Sequence, residues 1–544
     1  MNHHSSKWTI AFLIFVLLLT GCSSNAANGT NNSNISSPGP TDAASADANV
    51  VDANEGKELA TELKFPLDQS IPTLDPHLSL GGSNSTVVLN VFEGLFSFNS
   101  SYEPVPSLAE SYEVSEDGKN YVFHLRQGIT FHNGKELKAE DAAASLNRWK
   151  ELAPRAKSSF GESEFEAQDD YTVVLNLNEP KNDTLAQLSH VLNFAAIMPK
   201  EVVESAGPDG VKEYIGTGPF KLVEWKADQY IHVSKFENYQ SPDGESDGFA
   251  GKREALVNDI YFTLALDNAT RFSSFLAGDF DYVDVSIDNL PLVENDDSIE
   301  LVKDLSTDFN LIFNKKSPLF SDIAYRQAVA ALVNAEEILL GITSTPDLYR
   351  LNPSYMYEEN AKWYSEAGSE AYNQSNPEEA KRLLAEAGYN GEVVRLLTTK
   401  DTGSFYNASL MLQAQLEAIG VKTQLDIYDY ATMLTKRADA TAWDIYLGPF
   451  IVPSTPSQLL YLNPSYGFAE DAKLAELLKK ATAALTDEEI KEANDELQAY
   501  VWEYLGNVKI GDTYRYKAIR SNLQGVTTLY GIPNLSNTKV YKKS

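Results

Sequence analysis

Glu392-Val393-Val394-Arg395-Leu396-Leu397-Thr398 opens the stretch on which the architecture of this chain turns. Ala408, Met411, Leu412, Gln415, Leu416 and Ile419 follow at helical spacing up to Gly420, and Val421, Thr423, Leu425 and Ile427 then alternate. An apolar strand, a helix and a half-buried strand at this spacing form a βαβ unit, so the sheet is expected to be parallel. Just upstream, Asn376-Pro377-x-Glu379 supplies an N-cap, a proline at the first helical position and an acid at the third. Ala380, Leu383, Leu384 and Ala387 carry that helix to Gly388, a C-terminal stop. Downstream, Trp443-Asp444-Ile445-Tyr446-Leu447 reads as a buried strand. Thr486-x-x-Glu489 reads as the capping box of a helix running to about 504.

Nearer the start, 63–67 reads as a strand, followed by a Pro/Gly-rich stretch over 71–82. An apolar helical stretch is expected over 87–98. Residues 121–126 read as a strand, and 127–135 as a second run with an Asn133-Gly134 turn. A helix is expected from 139 to about 151, with Asp141 in its first turn and Leu146 and Trp149 on its apolar side. Val173, Leu175 and Leu177 put one face of a strand into a core.

Residues 8–19 hold one polar side chain, Thr9, behind a single fixed positive charge, Lys7. This is the pattern of a secretory signal peptide, shorter than the roughly 20 apolar residues of a membrane-spanning helix. Leu19-Thr20-Gly21-Cys22 at its end resembles the lipobox of bacterial lipoproteins. The resemblance implies removal of residues 1–21 and a diacylglycerol on Cys22, the only cysteine in 544 residues. Each buried CH₂ of such a lipid contributes about 0.8 kcal/mol to anchoring. The Ser/Asn/Ala/Gly/Asp-rich stretch that follows has no aromatic residue before Phe65 and is too polar to offset its ordering entropy. Residues 22–56 are therefore expected to form a lipidated flexible tether, reaching roughly 30 Å as a random coil.

Loss of Lys7 with the signal would leave 43 basic against 77 acidic residues. That balance argues against nucleic acid as a partner and against adsorption to an anionic membrane face. With one cysteine, no internal disulfide exists, so stability rests on a large core. A hydrophobic content of 43 % is that of a globular chain.

Little in the sequence proposes catalysis. No His-Glu-x-x-His, phosphate-binding Gly-x-x-x-x-Gly-Lys-Ser/Thr or Gly-x-Gly-x-x-Gly occurs. One Gly-x-Ser-x-Gly exists, Gly244-Glu245-Ser246-Asp247-Gly248, but a nucleophile elbow needs an apolar strand before it and a helix after. Here both flanks are polar loop. His124 and His132 lie in neighbouring runs without ligand spacing. Neither a metal nor another cofactor is expected.

Glu93-Gly94-Leu95, Phe123-x-Leu125-Arg126-x-Gly128-Ile129-x-Phe131-His132-Asn133-Gly134, Ala139-x-Asp141 and Arg148 carry a wider resemblance. It continues at Gly216-Thr217-Gly218-Pro219-Phe220-Lys221-Leu222-x-x-Trp225, Phe313-Asn314, Pro318-Leu319-Phe320-x-Asp322 and Arg326-Gln327-Ala328. It extends through Ala387-Gly388-Tyr389, Ile419-Gly420-Val421 and Trp443-Asp444-Ile445. Together these resemble the family 5 extracellular solute-binding proteins, the peptide/nickel/opine receptors of ABC importers. The resemblance implies an α/β, bilobal, periplasmic-binding-protein-like fold with an extra inserted subdomain. The implied division is lobe I at 57–97, 212–303 and 506–544, the insert at 98–211, and lobe II at 304–505. It implies a small ligand enclosed between lobes, with walls at Ser79, Gly82, Ser83, Phe160, Phe309, Gly448, Phe450, Ser454 and Thr455. The loop 448–455 stands at the end of a strand, where α/β sheets bind ligands.

In that loop this sequence departs from the family. Peptide-binding relatives commonly place an Asp there, against the ligand's α-amino group. Here no acid occurs between Asp444 and Glu470, and Val452 takes the corresponding position. Asp308 or Glu93 would have to substitute, or the ligand has no free amino terminus there. The expected function is capture of a small solute, a peptide by family default, by hinge closure and delivery to ABC permease subunits. A metal chelate, opine or other solute is the alternative; a secreted hydrolase and a purely structural lipoprotein are the readings from other classes. The expected state is a monomer, lipid-anchored at the extracytoplasmic face of a bacterial cell membrane.

Overall fold

A computed structural model describes residues 54, 56–78, 81–192, 194–451, 453–464 and 466–543. Cys22, the signal-like segment, nearly all of the expected tether, Ser79 and Val452 lie outside the described residues.

Val393–Thr399 and Lys422–Tyr428 pair in parallel, Val393 opposite Lys422 and Thr399 opposite Tyr428. Helix Gly403–Ala418 makes the crossover, and Gly420 beyond it takes φ +87°, the left-handed conformation of a helix stop. The Asn376 side chain accepts a hydrogen bond from the Glu379 amide at 3.1 Å, ahead of Pro377–Glu386. Thr486 and Glu489 cap Asp487–Tyr504 reciprocally. Ile445–Phe450 joins the parallel set alongside Val393–Thr399.

On its other side Ile445–Phe450 pairs antiparallel with Ile299–Phe313. That strand pairs antiparallel with Asn507–Arg520, and Tyr282–Val285 forms the next edge. The two central strands are 15 and 14 residues long, against a usual length of about 5–6. Their length lets them serve two cores. Phe309, Leu311, Phe313, Val508 and Ile510 are buried in one, whose members run from 309 to 510. Ala518 and Ile519 are buried elsewhere, Ile519 with Leu63, Phe65, Phe262 and Leu535. Between the two ends the ladder slips register, at Leu305/Thr307 and at Phe309/Asn310, as β-bulges do.

The second core is built on a four-stranded sheet of Glu62–Leu67, Asp259–Leu264, Tyr230–Lys235 and Phe220–Lys226. A third, from Leu95 to Ile197, packs helix Ala139–Leu152 on a small sheet of Ala109–Val114, Asn120–Leu125, Thr172–Asn176 and Phe165–Ala167. Trp149, Val173 and Leu175 are fully buried there. The chain enters and leaves the body at one place. Leu59 bridges Tyr541, the Ala60 amide donates to the Val540 carbonyl at 2.7 Å, and Lys542 pairs with Glu58 at 2.6 Å.

One element differs from its expected form. The helix expected over 87–98 is Gly82–Val91, and Phe96–Phe98 is a strand. Gly216 and Gly218 lie against the helix end: the Gly218 amide donates to the Val91 carbonyl at 3.0 Å. A Cβ on Gly216 would stand 2.1 Å from that same oxygen. The Glu93 carbonyl is taken by the Ile197 amide at 2.9 Å. The apolar run from Val87 to Phe96 records burial on every side, not a helical period.

Candidate functional site in the interlobe cleft

The insert-like unit and the 309–510 core face each other across a cavity of ≈ 790 Å³. Arg155, Ser159, Lys181 and Gln187 line one side, and Ser457, Gln458, Asn463 and Leu478 the other. The first wall is held by helix Pro154–Phe160, which starts with proline at its first position. Phe160 anchors that helix by packing on Trp149 and Phe165, with ring centroids at 5.7 and 5.9 Å. The second wall is the single 3₁₀ turn Pro456–Gln458, closed by the Gln458 amide on the Thr455 carbonyl at 3.2 Å.

Direct bonds cross between the walls. Ser457 Oγ donates to Asp183 Oδ2 at 2.6 Å. Asn182 donates its side-chain amide to the Ala481 and Ala484 carbonyls, both at 2.8 Å, and its backbone amide to Thr482 at 2.9 Å. Lys479 pairs with Glu179 at 2.6 Å. A second cavity, ≈ 240 Å³, is lined by Gly82, Ser83, Tyr282, Arg515 and Tyr530, with Ile451 from the opposite lobe. Tyr530 stacks edge-on against Tyr102 at 4.9 Å and lies 5.2 Å from the His190 ring, while Tyr102 reaches Tyr357 at 6.5 Å.

The residues expected at the walls fall into three groups. Gly82 and Ser83 line the second cavity, Ser83 donating to Asp68 Oδ1 at 2.5 Å. Ser454 and Thr455 are buried at the start of the 3₁₀ turn. The Ser454 carbonyl accepts from Asn360, and its hydroxyl faces that of Tyr530. The third group packs. Phe160 and Phe309 are core residues. Phe450 sits edge-on to Tyr461 at 5.1 Å and Tyr466 at 5.6 Å. The space a side chain would need at Gly448 is already filled by Tyr446 and Phe405, 2.6 and 2.9 Å from the Cβ position. A buried ring is drawn to the largest apolar contact available, and for these three that contact lies within their own lobe.

Both acids considered as partners for a ligand ammonium are engaged elsewhere. Asp308 is fully buried on the long strand, 3.4 Å from Lys509 Nζ, and accepts from Asn310 and Tyr461. Burial raises its pKa above the usual range despite the Lys509 charge. Glu93 accepts from Thr217 and Tyr239, each at 2.8 Å, and lies 3.5 Å from Arg253. Asp444 is held by Ser317 Oγ and the Arg395 amide.

Sequence reasoning missed Arg155, Gln187 and Gln458. Both amide atoms of Gln458 are unpartnered at 6 % exposure, as is Gln187 Oε1 at 3 %. His190 accepts the Leu192 amide at Nδ1, 3.1 Å, which puts its proton on Nε2. Burial, then the Arg155 charge, hold its pKa down at about 3. The Gly-x-Ser-x-Gly serine has Asn537 as its hydrogen-bond partner, at 3.0 Å. His132 bonds the Gly218 carbonyl and His124 faces Glu113. Among the described residues no three His, Cys, Asp or Glu are arranged to hold a metal ion, and no helix is long and apolar enough to cross a membrane.

Two lobes joined by two long strands, with polar cavities where they meet and a third unit inserted beside one wall, define a bilobal α/β binding protein of the periplasmic type. Residues 103–473 match the bacterial extracellular solute-binding proteins, family 5, middle part, and the chain belongs to that family. It is 27 % identical over 487 residues to a probable peptide ABC transporter periplasmic-binding protein of Sinorhizobium fredii, covering 84 % of this chain and 90 % of that one. It is 28 % identical over 383 residues to the dipeptide-binding protein of Escherichia coli K12, covering 64 % and 67 %. The solved structure of the binding protein AgaA from A. tumefaciens R10, in complex with agropinic acid, superposes with a TM-score of 0.72 at 27 % identity, over 89 % of this chain and 99 % of that one.

Proposed function

We propose that this protein captures a small solute in the interlobe cleft and delivers it to ABC permease subunits in the membrane. The observation that carries the reading is the ≈ 790 Å³ cavity walled by two separately cored units. Its mechanism is hinge closure about the paired strands Ile299–Phe313 and Asn507–Arg520, a population shift driven by contacts that only the closed form makes. The body divides as lobe I at 57–97, 212–303 and 506–544, the insert at 98–211 and lobe II at 304–505. Peptide is the default solute, since relatives are named for peptides and dipeptides. A non-peptide solute is favoured by one feature, the lack of any free acid at the 448–455 loop, and a relative bound to agropinic acid supports it. The role is binding, not catalysis, in a monomer.

The protein works at the extracytoplasmic face of the membrane, held by a lipid on Cys22 once residues 1–21 are removed. Cys22→Ser should abolish fatty-acid labelling in cells; equal labelling of both forms would refute the anchor. For the binding role, a solute raises unfolding free energy by RT ln(1 + [L]/Kd). A thermal-shift screen of peptides and small solutes should find a stabilising compound, and a solute-independent melting temperature across the screen would refute capture.

A further inference from the structure

Arg155 is the one described arginine with neither a hydrogen bond nor an ion pair. It is half-buried in the wall of the ≈ 790 Å³ cavity. Burial disfavours its charge, and the titratable groups that act on it are two phenols, Tyr466 and Tyr530, with no carboxylate among them. Tyr466 carries a second guanidinium: Arg437 lies over its ring at 4.1 Å and donates to its hydroxyl at 3.1 Å. No carboxylate pairs with Arg437 among the described residues; it lies over the Tyr446 and Tyr466 rings and bonds the Tyr466 hydroxyl.

The other charges of the cavity are matched. Lys479 has Glu179 at 2.6 Å and Lys181 has Asp183 at 3.9 Å. Asp183 is fully buried and also accepts from Ser457 and Gln187. A half-buried guanidinium without a counter-ion is costly in a closed cleft, and this one stands unpaired in a chain of formal charge −33. Gln458 lines the same cavity at 6 % exposure, its side-chain amide buried and without a partner among the described residues.

We propose that the captured solute is an organic oxyanion whose carboxylate is received by Arg155, without a free ammonium at the 448–455 loop. This deepens the solute-capture reading and rests on it. Arg155 then does for the anion what an acid does for the peptide amine in relatives of the other kind: it selects by charge, because a cationic or neutral solute would leave the guanidinium dry and unpaired. A planar guanidinium matches a carboxylate bidentately, which lysine does not.

The test is competitive capture. Wild type, Arg155→Gln and Arg155→Lys are incubated with a yeast-extract metabolite mixture spiked with N-acetyl-dialanine, dialanine amide, citrate and putrescine. Retained compounds are identified by mass spectrometry, and melting temperatures are recorded without additives. Wild type should retain acids and reject the amide and the diamine. Arg155→Gln should lose that retention by about ten-fold or more, the scale of a charge-assisted hydrogen bond, while its unliganded melting temperature holds or rises. Arg155→Lys should restore only part of the retention. Retention of neutral or cationic solutes by wild type, or of acids by Arg155→Gln, overturns the oxyanion assignment and leaves solute capture standing. Retention of nothing by wild type overturns both.

Discussion

Ser457 Oγ donates a 2.6 Å hydrogen bond to Asp183 Oδ2 across the cleft, joining residues 274 positions apart. The bond is short and charge-assisted, with Asp183 buried and Ser457 exposed, and it exists only while the walls touch. Bonds of this kind contribute about 1.5–3 kcal/mol. Ser457→Ala should therefore loosen closure without unfolding either core. The Asn182 amide, which donates to Thr482 across the same seam, is the reporter: its hydrogen exchange should speed up by about ten-fold or more. Unchanged exchange at Asn182 would show that the seam is held by Asn182 and Lys479 alone.

Phe450→Ala should cost stability and not affinity. The ring is 8 % exposed and packs edge-on against Tyr461 and Tyr466. Removing it should destabilise the protein by about 3–5 kcal/mol, measured by denaturant unfolding, while the folded fraction keeps its affinity for any stabilising solute. A loss of affinity at unchanged stability would move Phe450 to the ligand wall.

The joint between the lobes contains fully buried charges. Lys509 lies 2.8 Å from Asp512 and 3.4 Å from Asp308, and Arg350 reaches Asp512 at 2.7 Å. Lys509→Met leaves Asp308 without its cation. Breaking a buried pair from one side costs about 3–5 kcal/mol, so the melting temperature should drop markedly. Lys509→Met combined with Asp308→Asn should recover part of the loss, and a double variant no better than the single would argue against the pairing.

Acid should destabilise the fold through its buried imidazoles. His132 accepts the Gly216 amide at Nδ1, 3.3 Å, and bonds the Gly218 carbonyl through Nε2, 3.0 Å, an arrangement only the neutral ring satisfies. Burial lowers its pKa to about 4, and that of His190 to about 3. The unfolded chain takes up these protons as pH falls through about 6.5, whereas the folded protein does not. Stability is therefore full above that pH, falls below it, and keeps falling until the folded-state values are reached. Buried Glu93 and Asp308 have raised pKa values and act in the opposite sense. His132→Gln should flatten the decline between pH 6.5 and 4 in urea titrations; an unaltered slope would place the proton uptake elsewhere.

What was legible in the sequence was what local chemistry controls. Asn376, Pro377 and Glu379 mark a helix start because cap geometry needs those groups at those offsets. Val173, Leu175 and Leu177 mark a buried strand face because side chains alternate. The helix expected over 87–98 failed because an all-buried run has no polar phase to read, and its end is set by Gly216 and Gly218, far along the chain. Of the loops expected at the walls, Gly82 and Ser83 line the smaller cavity and Ser454 precedes the turn that lines the larger one. Individual rings were not. Phe160, Phe309 and Phe450 look alike in sequence whether they face a ligand or a neighbour, and tertiary packing settles the choice. Arg155 carries no local signature, since its distinction is the absence of a partner, which only the folded arrangement reveals.

The pairing of Ala60 with Val540, and of Glu58 with Lys542, bears on how this protein is instrumented. Fluorescent proteins fused before residue 58 and after residue 542 would sit side by side on one rigid piece, and their energy transfer would stay constant whatever the cleft does. A working sensor needs one dye carried across the joint, for instance at exposed Glu488 on the helix Asp487–Tyr504, with the other near Lys542. The same proximity makes a short Gly/Ser link between the two ends feasible, so that new ends can be cut on the far lobe and the reporter built into the moving half.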